Sequence, residues 1–454
     1  MSDFLIKDAI IVNEGESCQG SVVIGGGMIR EVIRGDLPDD YKGYHVINAK
    51  DKYLFPGIID DQVHFREPGL THKADLASES AAAVAGGVTS FMEMPNTNPQ
   101  TTTIALLEEK HRLAAGKSLG NYSFYLGATN DNLDEIRKLD PLQSCGLKIF
   151  MGASTGNMLV DDIKALEGIF AESPVLIATH CEDEDTIRQN TAKYINKYGE
   201  NMPAKYHPSI RSAQACYKSS SLAVGLARKY KSRLHVLHLS TARELELFEP
   251  VPYHTDKKIT AEVCIHHLWF SDADYERLGT HIKWNPAIKK SDDRDQLLLG
   301  VLDNRLDVIA TDHAPHTLAE KGNPYINAPS GGPMVQHSLM AMLEFCHRNL
   351  ISPEHLVDKM CHSPADLFRV SRRGYIREGY YADLVLVDMN DPWTVHRDNI
   401  YYKCGWSPLE GEMFRSKVLY TLVNGNIVYE NTSGDPSKAV FHAEHKGMRL
   451  EFNR

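Results

Sequence analysis

The chain has 454 residues, 42% of them hydrophobic and 24% charged, with a net charge of −11. That length accommodates one large domain and a smaller companion. The acidic balance argues against nucleic acid or an anionic membrane as the main partner, and no apolar run reaches the ~18 residues of a membrane span.

The start, MSDFLIKDAII, carries charge and leads into a strand, so it does not read as a signal peptide. Over the first ~50 residues, short β-like runs (FLIKDAIIVN, GSVVIGGGMIREVI, YHVINA) alternate with glycine turns. The C-terminal part repeats this texture in ADLVLVDM and SKVLYTLVNGNIVYE, where Asn424-Gly425 is a hairpin turn. Residues 1–54 and 371–454 are therefore expected to build one small composite β-sandwich domain. Between them, eight apolar runs alternate with helical stretches: LFPGIIDDQVHF, GVTSFMEM, YSFYLGAT, GLKIFMG, PVLIATH, RLHVLHLS, ITAEVCIHH and LDVIATDHAPH. Strands that are apolar throughout and joined by helices predict an α/β fold, a (β/α)8 barrel over residues 55–370. The eight cysteines are scattered without a CxxC pair, as in a reduced, cytoplasmic protein.

The chemistry-bearing residues gather where the strands end, which is the mouth of such a barrel. Strand one ends in Gln62, His64 and Arg66, which with Asp60 fall on one face of an alternating strand. Strand two runs into Asn96, strand four carries Lys148, strand five ends in His180 and strand six in His238. His235 lies three residues before His238 and faces the other way, so only one of them looks into the mouth. His266 and His267 follow strand seven and read as structural. Strand eight ends in Asp312, with His316 just beyond. Lys148 sits among Leu147, Ile149 and Phe150, where an ammonium is costly to bury. It either snorkels to the rim or is a neutral amine able to capture CO2, giving a carbamate that bridges two metal ions. A strand-end carboxylate such as Asp312 can ligate a metal and take a proton. The Gly/Pro-rich GNPYINAPSGGP that follows is long enough to be a lid, or is a structural loop.

In order along the chain, VHFREPG, EMPNT, GLKIFMG, ATHCEDE, HLSTA, KWNPAIK and ATDHAPHTLAEK resemble the signatures of the cyclic amidohydrolases, and within them the dihydroorotase family. The resemblance covers nearly the whole chain and includes the composite β domain. It implies the reversible cyclisation of N-carbamoyl-L-aspartate to L-dihydroorotate in pyrimidine synthesis, with one or two zinc ions that lower the pKa of bound water towards ~7. By resemblance, His64 and Asp312 hold the inner ion, His180 and His238 the outer, and carboxylated Lys148 bridges them. Asp312 is also the general acid/base. Arg66, Asn96 and His316 take the substrate carboxylate, Asn285 the pyrimidine ring, and Ala328 to Gly332 close over it. A homodimer is implied, with association with aspartate carbamoyltransferase as a further implication.

The departure lies in strand one. The family pattern is Asp-x-His-x-His, and this chain reads Asp60-Asp61-Gln62-Val63-His64. An amide oxygen is a weaker zinc donor than imidazole. Three outcomes are open: Gln62 ligates directly or through water, the inner ion is weak or absent, or the chain is a non-catalytic partner of the transcarbamoylase. Retention of the other ligands and of Arg66, Asn96 and His316 favours an active enzyme. Arg66 with Asn96 favours dihydroorotate over hydantoin or allantoin, the substrates of related cyclic-amide hydrolases.

Overall fold

The computed structural model describes residues 3–35, 37, 41, 43–152, 158–253, 256–433 and 436–453. The N-terminal segment forms β1 (Phe4–Asn13), β2 (Glu16–Gly25), β3 (Met28–Arg34), β4 (His45–Asn48) and β5 (Tyr53–Pro56). Next come the barrel strands β6 (Ile58–Val63), β7 (Val88–Glu93), β8 (Asn121–Phe124), β9 (Leu126–Gly127), β10 (Leu147–Phe150), β11 (Ile177–His180), β12 (Leu234–Val236), β13 (Ile259–Cys264) and β14 (Val308–Ala310). The C-terminal part adds β15 (Leu384–Asp388), β16 (Trp393–Thr394), β17 (Met413–Phe414), β18 (Lys417–Val423), β19 (Asn426–Glu430) and β20 (Val440–Phe441).

Both termini share one nine-stranded sheet, ordered β20-β19-β18-β15-β5-β1-β2-β3 with β4 on β1. Its middle strands are apolar throughout because each face has its own core. On β15, Leu384 and Leu386 pack into the sheet's own cluster with Ile6 and Ile24, while Val385 and Val387 face the main core with Phe55.

Barrel strands β6 to β14 pair in parallel around the ring, β8 and β9 forming one strand interrupted at Tyr125. Closure is made by the His64 amide, which donates to the His313 carbonyl at 2.7 Å across β6 and β14. The expected eight strand positions are thus present, and β6 and β7 are buried at every residue. Crossover helices begin at acidic or hydroxyl caps, Asp75, Asp162 and Ser212, each accepting a backbone N–H. Inside the ring, Ile59, Met92, Tyr125, Ala178 and Val308 pack with Phe368, from the helix Ser363–Phe368, and fill the barrel below its mouth. No helix among the described residues is long and apolar enough to cross a membrane, and all eight cysteines are free thiols.

Candidate active site

One cavity of about 390 Å³ opens at the C-terminal ends of the barrel strands. Its lining brings together every site residue read from the sequence except His316, which packs behind Arg66. Three of those residues, Arg66, His238 and Asp312, hold left-handed backbone at φ 68°, 38° and 43°. Non-glycine residues adopt that region at a cost of ~1–3 kcal/mol each, and such strain concentrates where side chains must be aimed.

Strand β6 departs from simple alternation. Its register against β7 slips between Asp60 and Val63, a bulge that turns both Asp61 and Gln62 inward. Gln62 and His64 reach the cavity as expected. Asp60 instead accepts from the Thr311 hydroxyl at 2.6 Å, just past the end of β14, so 60, 62, 64 and 66 do not form one row.

Two clusters of donor atoms face each other across the mouth. On one side, His64 Nδ1 lies 2.8 Å from Asn96 Oδ1 and so carries the proton, which aims the Nε2 lone pair at Asp312 Oδ1, 3.1 Å away. Gln62 directs its amide N–H to the same Asp312 oxygen at 3.2 Å and turns its carbonyl oxygen towards Cys264 Sγ. On the other side, His180 Nε2 donates to Glu182 at 3.1 Å, and its Nδ1 faces His238 Nε2 at 3.0 Å. Burial outweighs Glu182 and pushes His180 below the usual histidine range; burial and the neighbouring His180 push His238 lower still. Glu182 itself, against its own burial, is drawn down to about 2 by Arg211 and His180. Between the clusters Lys148 makes no ion pair with any described residue, its ammonium lying 4.7 Å from the Phe150 ring centre, and burial lowers its pKa to about 8.

These residues fit a metal pair. With its Nε2–H held by Glu182, His180 has an Nδ1 lone pair for a metal, and His238 Nε2, which otherwise donates to it, becomes a second donor nitrogen in its other tautomer. A histidine whose second nitrogen donates to a carboxylate is the usual oriented ligand. A neutral lysine amine is the form that can take up CO2.

The rim beside the donors is cationic. Arg66, 2% exposed, donates from Nε to the Pro315 carbonyl at 3.1 Å and lies 3.2 Å from His316 Nε2. No described carboxylate lies within ion-pair distance of it, and burial lowers its pKa to about 10. Asn285 Oδ1 is buried with no hydrogen bond among the described residues. The loop after Lys321 is fastened rather than loose: Lys321 donates to the Pro329 and Gly331 carbonyls at 2.9 and 2.7 Å, and Lys283 to that of Tyr325 at 2.7 Å. Ser330 and Gly331 thereby form part of the cavity wall.

His266 stacks on Trp284 with ring centres 4.4 Å apart, and His267 donates to the Pro286 carbonyl, the structural roles expected of them. His235 does not reach the cavity, as expected, but it does not face away from the interior either. It meets Asp61 and Glu262 one layer deeper. Sequence reasoning missed Glu182, although it stands two residues after His180. It also missed Lys73, which donates to His316 Nδ1 at 3.1 Å.

The parallel barrel with a buried histidine, lysine and aspartate set at its mouth is the architecture of a metal-dependent hydrolase. The chain belongs to the amidohydrolase family, whose model matches residues 53–428. It is 35% identical over 416 residues to the dihydroorotase of Halobacterium salinarum, covering 90% of this chain and 95% of that one. Identity to the dihydroorotase of Methanosarcina acetivorans is 32% over 468 residues, covering 99% and 97%. Among solved structures, the L-hydantoinase (dihydropyrimidinase) of Arthrobacter aurescens superposes with a TM-score of 0.86 at 26% identity, covering 94% of this chain and 96% of that one.

Proposed function

We propose that the chain is a dihydroorotase that interconverts L-dihydroorotate and N-carbamoyl-L-aspartate. The observation that carries this reading is the buried Arg66 guanidinium, which has no carboxylate among the described residues to pair with and sits beside Asn96 and His316 at the donor cluster. A substrate whose ring bears a carboxylate supplies the missing anion, and a planar guanidinium suits it. Hydantoin and allantoin rings carry no carboxylate and leave that charge unpaired. The relatives named as dihydroorotases support the same choice.

His64 and Asp312 would hold one zinc ion, His180 and His238 a second, with carboxylated Lys148 between them. The metal supplies Lewis-acid polarisation of the ring carbonyl and activation of water. The rest follows from the chain's own groups. Arg66 and Asn96 hold the substrate carboxylate, with His316 behind Arg66 positioning the guanidinium, and this fixes the ring against Asn285. In the hydrolytic direction Asp312 takes a proton from the attacking water and passes it to the ring nitrogen as the amide C–N bond breaks. Gln62, whose N–H donates to Asp312 Oδ1, orients that carboxylate rather than ligating through its oxygen. The fastened loop around Ser330 excludes water.

The test is turnover of L-dihydroorotate and of hydantoin by the zinc-loaded protein. Activity on dihydroorotate that exceeds activity on hydantoin is expected. Zinc uptake without turnover of either substrate would overturn the reading in favour of a non-catalytic partner.

A further inference from the structure

Below the mouth, the bulge in β6 creates a second polar cluster that the catalytic reading does not use. Asp61 from β6, His235 from β12 and Glu262 from β13 meet inside the barrel, each fully buried. Strands β6 and β12 are not neighbours, so a contact between them crosses the interior. We propose that Asp61, His235 and Glu262 form a buried divalent-cation site, best suited to zinc, one layer below the catalytic pocket. This site does not depend on the substrate proposed above.

Three observations carry it. The first is the tautomer of His235. Thr260 donates its single hydroxyl proton to the Leu234 carbonyl at 3.1 Å, so its oxygen must accept from His235 Nδ1–H at 2.9 Å. Nε2 then faces two carboxylates, so the cluster needs a positive centre: a cation between them, or a proton on Nε2, which, against burial, Asp61 and Glu262 favour by raising His235 to about 9. An imidazole whose other N–H is held by a fixed acceptor is also how metal-bound histidines are oriented.

The second observation is the spacing. His235 Nε2 lies 3.3 Å from an Asp61 oxygen and 3.4 Å from a Glu262 oxygen, and the three donors lie within 4.8 Å of one another. Ligands about 2.0–2.1 Å from a tetrahedral zinc stand about 3.3 Å apart. The rival occupant is a proton on Nε2, which would pull the carboxylates in to the ~2.7–2.9 Å of charge-assisted hydrogen bonds.

The third is the set of orphaned atoms. Both Asp61 carboxylate oxygens, Glu262 Oε2 and His235 Nε2 are buried without a hydrogen bond among the described residues. Two carboxylates and a neutral imidazole around a divalent ion sum to no net charge, which removes the cost of burying them bare. Cys264 borders the cluster, its Sγ 3.7 Å from Glu262 Oε1, and a thiol beside N/O donors favours zinc over harder cations.

The experiment is to load the full-length protein with zinc alone, desalt it and count the metal by mass spectrometry. Asp61→Asn and Glu262→Gln are each expected to lose one zinc equivalent relative to the unaltered protein. A His180→Asn/His238→Asn variant is expected to lose metal from the mouth yet keep that deep equivalent. Zinc content unchanged in both Asp61→Asn and Glu262→Gln overturns the proposal. Should those variants not fold, anomalous diffraction at the zinc edge on the unaltered protein decides. A peak bounded by Asp61, His235 and Glu262 supports the site, and its absence overturns it. Because zinc is counted directly, a failure to turn over dihydroorotate leaves this result unaffected.

Discussion

The wall of the barrel and its mouth both bury lysine, and they treat it in opposite ways. In the wall, Lys110 meets Glu93 at 2.9 Å and also donates to the Met94 carbonyl, while Lys257 is held by Asp307 at 2.6 Å and two backbone carbonyls. At the mouth, Lys148 is as deeply buried but has no ion-pair partner among the described residues, and no described carboxylate pairs with Arg66. A charge left bare in a protein interior costs several kcal/mol, so a fold retains one only where something else completes it. Charges in the wall are paired within the fold; those at the mouth are the ones the proposed function assigns to metal and substrate.

The widest split between the two regions is expected from paired lysine variants. Lys148→Met removes the group proposed to bridge the metal pair, so kcat/KM for dihydroorotate should fall on the order of 10³-fold while the urea midpoint stays level or rises. Lys110→Met strands a buried Glu93 and should cost about 3–5 kcal/mol of stability in the same urea titration. Equal destabilisation of the two variants would erase the distinction. Arg66→Met extends the comparison to the substrate side. Losing a charged hydrogen-bonding partner worth about 1.5–3 kcal/mol should raise KM about 10–100-fold, with zinc content by mass spectrometry unchanged. Glu182→Gln keeps the shape of the group that accepts from His180 but removes its charge. Zinc affinity measured by competition with a chelator should drop about 10–100-fold. Retention of full affinity would mean that His180 is not oriented in this way.

Much of this difference was readable in the sequence because the barrel strands are apolar, so a lysine or histidine inside one stands out. GLKIFMG and PVLIATH identify Lys148 and His180 for that reason, and repeated β-like texture at the two ends identifies the shared terminal sheet. Asp61 was hidden by a bulge, since strict alternation assigns it to the face opposite Gln62, and a one-residue slip cannot be read from one strand without its partner. Lys73 lies in a loop, and its bond to His316 joins residues 243 apart in sequence, which no local pattern encodes. Gln62 read as a damaged ligand. Its amide N–H instead donates to Asp312, which is why the proposed function gives it the use of orienting that carboxylate.

The loop over the cavity tests the same distinction at the level of backbone. Gly331 sits at φ 123°, and a Cβ there would stand 2.5 Å from the Ala314 carbonyl oxygen. Gly331→Ala should cost about 1–3 kcal/mol in thermal melts and weaken substrate binding, because the residue is both strained and part of the cavity wall.

His111 is the wall's exception and gives the smallest expected effect. It is buried against the Phe124 ring, neither ring nitrogen hydrogen-bonds among the described residues, and burial, with Arg449 and Lys110 adding positive charge, lowers its pKa to about 3. The unfolded chain takes up this proton near pH 6.5 whereas the folded one resists to about 3, so the group's contribution is intact above pH 6.5 and lost as pH falls. Within that window the loss is about 1.4 kcal/mol per pH unit. His111→Phe abolishes the titration. Any packing penalty from the larger ring is common to both pH values, so the difference between pH 7.5 and pH 5 isolates the proton. Relative to the unaltered protein, the variant should gain about 2 kcal/mol on going to pH 5, measured by urea unfolding. An identical pH slope in the two proteins would show that His111 titrates normally, and the wall would then have no exception.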